Sequence, residues 1–132
     1  MNSFITTRFS HYQELMILSP IITNFVVLKQ NITAHDGRIR VKAMLSNRGL
    51  LEFAEYLAVD EDLQILTHTY TFHWQDEQQK LMRRWDNVNH FPHLPHAPHH
   101  IHVDESTVIG NPQVPTLEEV LLEIEHKLDD VI

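Results

Sequence analysis

Three prolines, at positions 92, 95 and 98, divide this 132-residue sequence. Proline fixes its own φ, lacks an N–H and pushes the residue before it out of the helical region, so neither a helix nor a central strand runs through that spacing. The stretch Val88–His102 is therefore expected to be an irregular crossing. It carries six of the chain's eleven histidines: His90, His93, His96, His99, His100 and His102.

Upstream of the crossing, the pattern is mostly that of strands. A short first helix is expected from about Phe9 to Leu18, with Ser10 and Gln13 at capping-box spacing and Ser19-Pro20 as its stop. The β-branched and aromatic run Phe25–Thr33 then reaches Ala34-His35-Asp36-Gly37, a turn signal. Ile39, Val41, Ala43 and Leu45 alternate with Arg38, Arg40, Lys42 and Met44, the period of a strand with one buried face. Leu51, Phe53, Leu57 and Val59 continue that period after a turn at 46–49. Leu66, Tyr70, Phe72 and Trp74 mark one face of a fourth strand, which His68 shares, and Leu81–Trp85 reads as a fifth. Downstream, Thr116 and Glu119 form a capping box, and Leu117, Val120, Leu121, Ile124 and Leu128 recur at helical spacing. These signals predict a single α+β domain over residues 1–132. An antiparallel five-stranded meander sheet carries a short N-terminal helix and a C-terminal helix packed on it.

Charge and composition narrow the chemistry. Cysteine is absent, which excludes disulfides, thiolate-bound metals and a cysteine nucleophile. Net charge is −8 with histidine neutral, against a broad basic face for nucleic acid, so any such contact has to be local. Protonating all eleven histidines takes the formal charge to +3, and their unperturbed pKa is near 6.5. No run approaches the roughly 18 to 20 apolar residues of a membrane span, and the first residues lack a signal-peptide pattern. A cytoplasmic protein without membrane contact is expected.

Several side chains are candidates for chemistry. His100 and His102 are two apart, so in an extended segment they project from one face and can chelate an ion; a divalent metal is one alternative, though no acidic ligand at fixed spacing accompanies them. Acid–base cleavage of an RNA phosphodiester is another, because it needs a base, an acid and a cation, and histidine and arginine supply all three. Arg84, Asp86 and Asn87 lie where the fifth strand meets the crossing, and Arg84 and Asp86 share a strand face. Glu55 falls on a face that its neighbours bury, so it needs a partner and is a candidate to orient a histidine. Tyr70, Trp74 and Trp85 are base-stacking candidates that strand spacing equally assigns to a core. A third alternative is a docking surface without catalysis.

The series Tyr70-Thr71-Phe72-His73-Trp74-Gln75, Arg84-Trp85-Asp86-Asn87, His90-Phe91-Pro92-His93 and Pro98-His99-His100-Ile101-His102, followed by the helix Leu117 to Leu128, resembles the TumE toxin family over roughly residues 50 to 128. The resemblance implies the toxin of a prokaryotic toxin–antitoxin pair, neutralised by direct binding of a small, commonly DNA-binding antitoxin. A ribonuclease-like activity on RNA follows by analogy with other small toxins. On this footing Arg84, Asp86, His99, His100, His102 and Glu55 are the candidate catalytic residues, and His73, Trp85, Asn87, His90 and His93 the candidate binding residues. Family members often carry Ala-Pro-His-His-Pro after the Asp-Asn pair, where this chain has Val88-Asn89-His90-Phe91-Pro92. A homodimer stays open.

Overall fold

Asn2 starts the first helix. Its side-chain oxygen accepts the N–H groups of Phe4 and Ile5 at 2.9 and 3.1 Å, so α1 spans Ser3–Leu18 rather than beginning at Phe9. Ile5, Phe9, Tyr12 and Met16 fall on one stripe and are buried, and Ser19, extended before Pro20, ends the helix. The computed structural model describes residues 1–129.

Seven strands follow in one antiparallel sheet whose spatial order is the chain order: β1 (Ile22–Ile32), β2 (Asp36–Leu45), β3 (Leu50–Val59), β4 (Ile65–Gln75), β5 (Leu81–Asp86), β6 (His100–His102) and β7 (Val108–Gly110). The meander is as expected; the count of five is corrected to seven. Beyond Pro98 no proline blocks the ladder, so His100, Ile101 and His102 pair with Asp86, Trp85 and Arg84, and Val108–Gly110 return against them. Residues 90–99 remain a series of turns. Helix α2 (Leu117–Asp129) opens at Thr116, whose hydroxyl accepts the Glu119 N–H at 3.1 Å.

Both helices cover the same face. Ile39, Val41, Ala43 and Leu45 of β2, Leu51, Phe53 and Leu57 of β3, and Tyr70, Phe72, Trp74 and Trp85 join the helix stripes in one buried cluster. Full burial of such a side chain contributes roughly 1.5–3 kcal/mol relative to exposure. Gly37 lets α1 lie close to β2, since a Cβ there would sit 2.6 Å from Ile5 Cγ2. Strand β4 departs from a single alternation: Tyr56 pairs with Thr69 and Leu57 with Thr67, which leaves His68 as the extra residue of a bulge. Leu66 and His68 therefore face solvent, while Ile65 and Thr67 take the inward positions. No helix among the described residues is long and apolar enough to cross a membrane.

Among the described residues no helix covers the opposite face of the sheet. Alternation sends Arg38, Arg40, Lys42, Tyr56, Thr71, His73, Arg84, Asp86, His100 and His102 to it. The His-rich crossing folds back over one end of this outer face and is pinned at Gly110, where an added Cβ would meet the Pro95 carbonyl oxygen at 2.0 Å. Gly110→Ala is expected to lower stability in urea unfolding by about 1–3 kcal/mol, the range for overpacking. An unchanged midpoint would contradict this seating of the crossing on β7.

Candidate functional site

Strand register gathers the site. Asp86 of β5 lies opposite His100 of β6, and Arg84 lies between His73 of β4 and His102 of β6. Asp86 is 2% exposed and His100 equally so, an environment in which a carboxylate requires compensation. Asp86 receives it from several sides. Its Oδ2 accepts Arg84 Nε at 2.9 Å, its Oδ1 accepts the Val88 N–H at 3.0 Å, and His100 Nε2 lies 2.8 Å from Oδ1. His102 Nε2 is 3.8 Å from Oδ2.

Hydrogen-bond chemistry fixes more than distances do. His100 Nδ1 lies 2.9 Å from the Pro98 carbonyl, which only accepts, so Nδ1 carries a proton. Its Nε2 then faces a carboxylate oxygen, and two lone pairs do not meet at that distance. A second proton or a cation must lie between them. Arg84 Nη1 donates to His73 Nδ1 at 3.3 Å, so the His73 proton sits on Nε2 and is shared with Gln75 Oε1 at 3.1 Å. Arg84 is thus aimed by a carboxylate and an imidazole while its side chain stays partly exposed.

His102 differs from His100. Burial holds its pKa below the usual histidine value; Asp86 opposes this, and the neighbouring His100, Arg84 and His73 reinforce it. At neutral pH His102 is therefore a neutral imidazole with a free role. Arg84, Asp86, Val88, His90, Phe91, His100 and His102 line a cavity of about 260 Å³. Phe91 closes it edge-on against His100 and His102, with ring centroids 4.9 and 5.7 Å away. The arrangement can bind an anion at Arg84, accept a proton at His102 and hold a metal. The donor atoms of Asp86, His100 and His102 lie within 4.8 Å of one another.

Apart from His90, the remaining candidates lie outside this cluster. His99 turns to the other side of β6 and stacks on Tyr70, whose hydroxyl pKa is pushed up by burial and whose oxygen lies within hydrogen-bond distance of His99 Nδ1, at 2.9 Å. Trp85 is in the core at 3% exposure, on the opposite side of β5 from Arg84 and Asp86. Asn87 clamps the bulged strand, accepting the Tyr70 N–H and donating to the His68 carbonyl. His93 packs edge-on against Phe91 in the exposed crossing, and His90 lines the cavity from an exposed position. Glu55 is on the inner face, beside Tyr12 and Arg8 of α1, with Oε1 lacking a hydrogen-bond partner. It orients no histidine. Sequence reasoning did not single out Phe91 and Val88, whose roles depend on how the crossing folds back.

A family model described as Toxin TumE matches residues 12–132. No curated protein and no solved structure matches the chain.

Burial raises the Glu55 carboxyl above its ordinary value of 4.5, against smaller opposing contributions from Tyr12 and Arg8. Its contribution to stability is then full below that value and is lost as pH rises through the raised one. Glu55→Gln is expected to raise the urea midpoint at neutral pH, with the advantage vanishing at about pH 4. Equal gains at both pH values would contradict a Glu55 carboxyl whose raised pKa costs stability at neutral pH.

Proposed function

The chain belongs to the TumE toxin family, the toxin half of a toxin–antitoxin pair, and from that premise we propose that it cleaves RNA phosphodiesters at the cavity where Arg84, Asp86, His100 and His102 meet. Family membership implies a cognate antitoxin. In this proposal the antitoxin is small, binds DNA and neutralises the toxin by direct contact, and the reaction takes place in the cytoplasm.

A single observation carries the reading: the His102 imidazole lines the same cavity as a guanidinium that a buried carboxylate has already oriented. His102 takes the proton of the ribose 2′-hydroxyl, whose oxygen attacks the adjacent phosphorus. The bond to the 5′-oxygen breaks, leaving a 2′,3′-cyclic phosphate on one fragment. The departing 5′-oxygen takes a proton from His90 and becomes a hydroxyl, while Arg84 neutralises the charge that builds on the phosphoryl oxygens. Asp86 and His100 touch no substrate in this scheme. Both His100 nitrogens are engaged, so it fixes Asp86, and Asp86 fixes Arg84.

A second reading has an observation of its own. Asp86, His100 and His102 form a two-histidine, one-carboxylate set, and the donation from His100 Nδ1 to the Pro98 carbonyl is the outer contact that metal-binding imidazoles usually make. Zinc or manganese would suit such donors, supplying a Lewis acid for the phosphoryl oxygen.

Expression of the chain alone is expected to arrest bacterial growth, and His102→Ala or Arg84→Ala to abolish the arrest while circular dichroism stays unchanged. Purified wild type should leave 2′,3′-cyclic phosphate and 5′-hydroxyl ends on RNA, and His102→Ala should slow cleavage by about 10²–10⁴-fold. Arrest that survives both substitutions would remove the enzyme and favour a docking protein. Stoichiometric metal in untagged protein, with cleavage lost on chelation, would favour the second reading over the first.

A further inference from the structure

Half of the chain's ten lysines and arginines stand on the outer face of the sheet, although the molecule as a whole carries −8. Because Ile39, Val41 and Ala43 of β2 turn inward, Arg38, Arg40 and Lys42 all turn outward, with Lys29 opposite Arg40 on β1 and Arg84 toward the other side. Among the described residues no carboxylate lies within ion-pair distance of Lys29, Arg38 or Lys42. Arg40 meets Glu52 at 3.5 Å, but both side chains are substantially exposed, and such a pair contributes about 0–1 kcal/mol and yields readily to a stronger anion.

Between these cations and the cavity lies a floor of small side chains. Across the ladders Arg40 pairs with Ala54, Ala54 with Thr71, and Thr71 with Asp86, so two short residues separate the cationic ridge from the buried carboxylate. Three strand spacings make that distance about 14 Å. The low floor forms a trough of about 280 Å³ whose lining includes Lys29, Arg38, Arg40, Thr71 and Val88. Val88 lines the Arg84–His102 cavity as well, so the two hollows share a wall. At the trough's side Tyr56 is flanked by Arg38, 4.3 Å from its centroid, and by His68, stacked at 5.5 Å. Its hydroxyl donates to Asp36 Oδ2 at 2.9 Å.

We infer that this trough seats the strand that the cavity cleaves: a single-stranded RNA segment lies across β2–β5 with its phosphates on Lys29, Arg38 and Arg40. The inference rests on the RNA reading above and adds where the substrate binds. A polyanion fits a ridge of cations in which Lys29 and Arg38 have no ion-pair partner among the described residues and Arg40 has only an exposed one, and continuity with Asp86 and Arg84 makes the bound strand the one that reaches His102. Planar groups beside a cationic floor suit unpaired bases, whose stacking tolerates any sequence. Binding of this kind is confined to one face, as the net charge demands.

The test uses full-length protein and a labelled 2′-O-methyl RNA of about 12 nucleotides, long enough for such a face and unable to be cleaved because its 2′-hydroxyls are blocked. Fluorescence anisotropy is read across a salt series for wild type, for the double variant Arg38→Gln/Arg40→Gln and for Arg48→Gln. Circular dichroism and thermal melting report folding, which exposed substitutions should preserve. The double variant is expected to bind about tenfold more weakly or worse. Its dependence of log K on log salt should flatten by about 1.4, the value for two lost phosphate contacts on a single strand. Arg48→Gln, an exposed charge loss in the turn after β2, should bind as wild type does.

Equal affinity and equal salt slope for wild type and the double variant would overturn the inference. So would an oligo-glutamate peptide that binds through Arg38 and Arg40 where the RNA does not, since the trough would then be a docking face for an acidic protein segment. The two proposals separate cleanly. Binding through Arg38 and Arg40 without cleavage of unmodified RNA leaves the trough standing and refutes the chemistry, whereas equal cleavage by wild type and double variant at limiting RNA does the reverse.

Discussion

A buried carboxylate governs the outer face of this molecule. Asp86 is taken out of water at the end of β5, and an ion so placed costs several kcal/mol unless charges and donors surround it. Arg84, the Val88 N–H and His100 converge on its two oxygens. The positions of these groups are therefore not independent. Removing one partner of such a set typically costs about 3–5 kcal/mol, because the others remain buried without compensation. Arg84 is held facing the cavity, and the crossing is held down at Val88 on one side and at His100 on the other.

Topology makes that convergence feasible. A meander brings consecutive strands side by side, so β5 has an unpaired edge exactly where the chain leaves it. The three residues His100–His102, just beyond Pro98, return to that edge and complete it. The helices pack on the far side of the sheet and leave the outer face open. The crossing covers one end of it, with Phe91 against the two histidine rings. One face is thus spent on stability and the other on polar side chains, which is why a sheet of modest size can hold both a packed core and a cavity lined with charge.

Much of the core was legible in the chain itself. Alternation marked the inward residues of β2 and β3, and the Thr116 cap with its helical stripe marked α2. Glu55 stood out as a carboxylate on an apolar face, and it is buried, but its neighbours come from α1, which no local pattern connects to β3. Position 68 defeated the alternation because a bulge leaves no mark in composition. For the site, i, i+2 spacing placed Arg84 with Asp86 and His100 with His102 on shared faces. That the two pairs meet is a matter of β5–β6 register, a pairing of three residues that proline density upstream concealed. His99 and Trp85 fall on the other side of those same strands by the same alternation, so the parity that joins the cluster also removes them from it.

The claim most exposed to test is that Asp86 makes Arg84 and His102 a single phosphate-binding unit. Side-chain NMR of the protein titrated with uridine 3′-monophosphate addresses it directly. The expected result is that the Arg84 guanidinium and His102 ring signals shift together in wild type, and that both shifts are lost in folded Asp86→Asn. Unaltered shifts in that variant, or wild-type shifts confined to other residues, would contradict it.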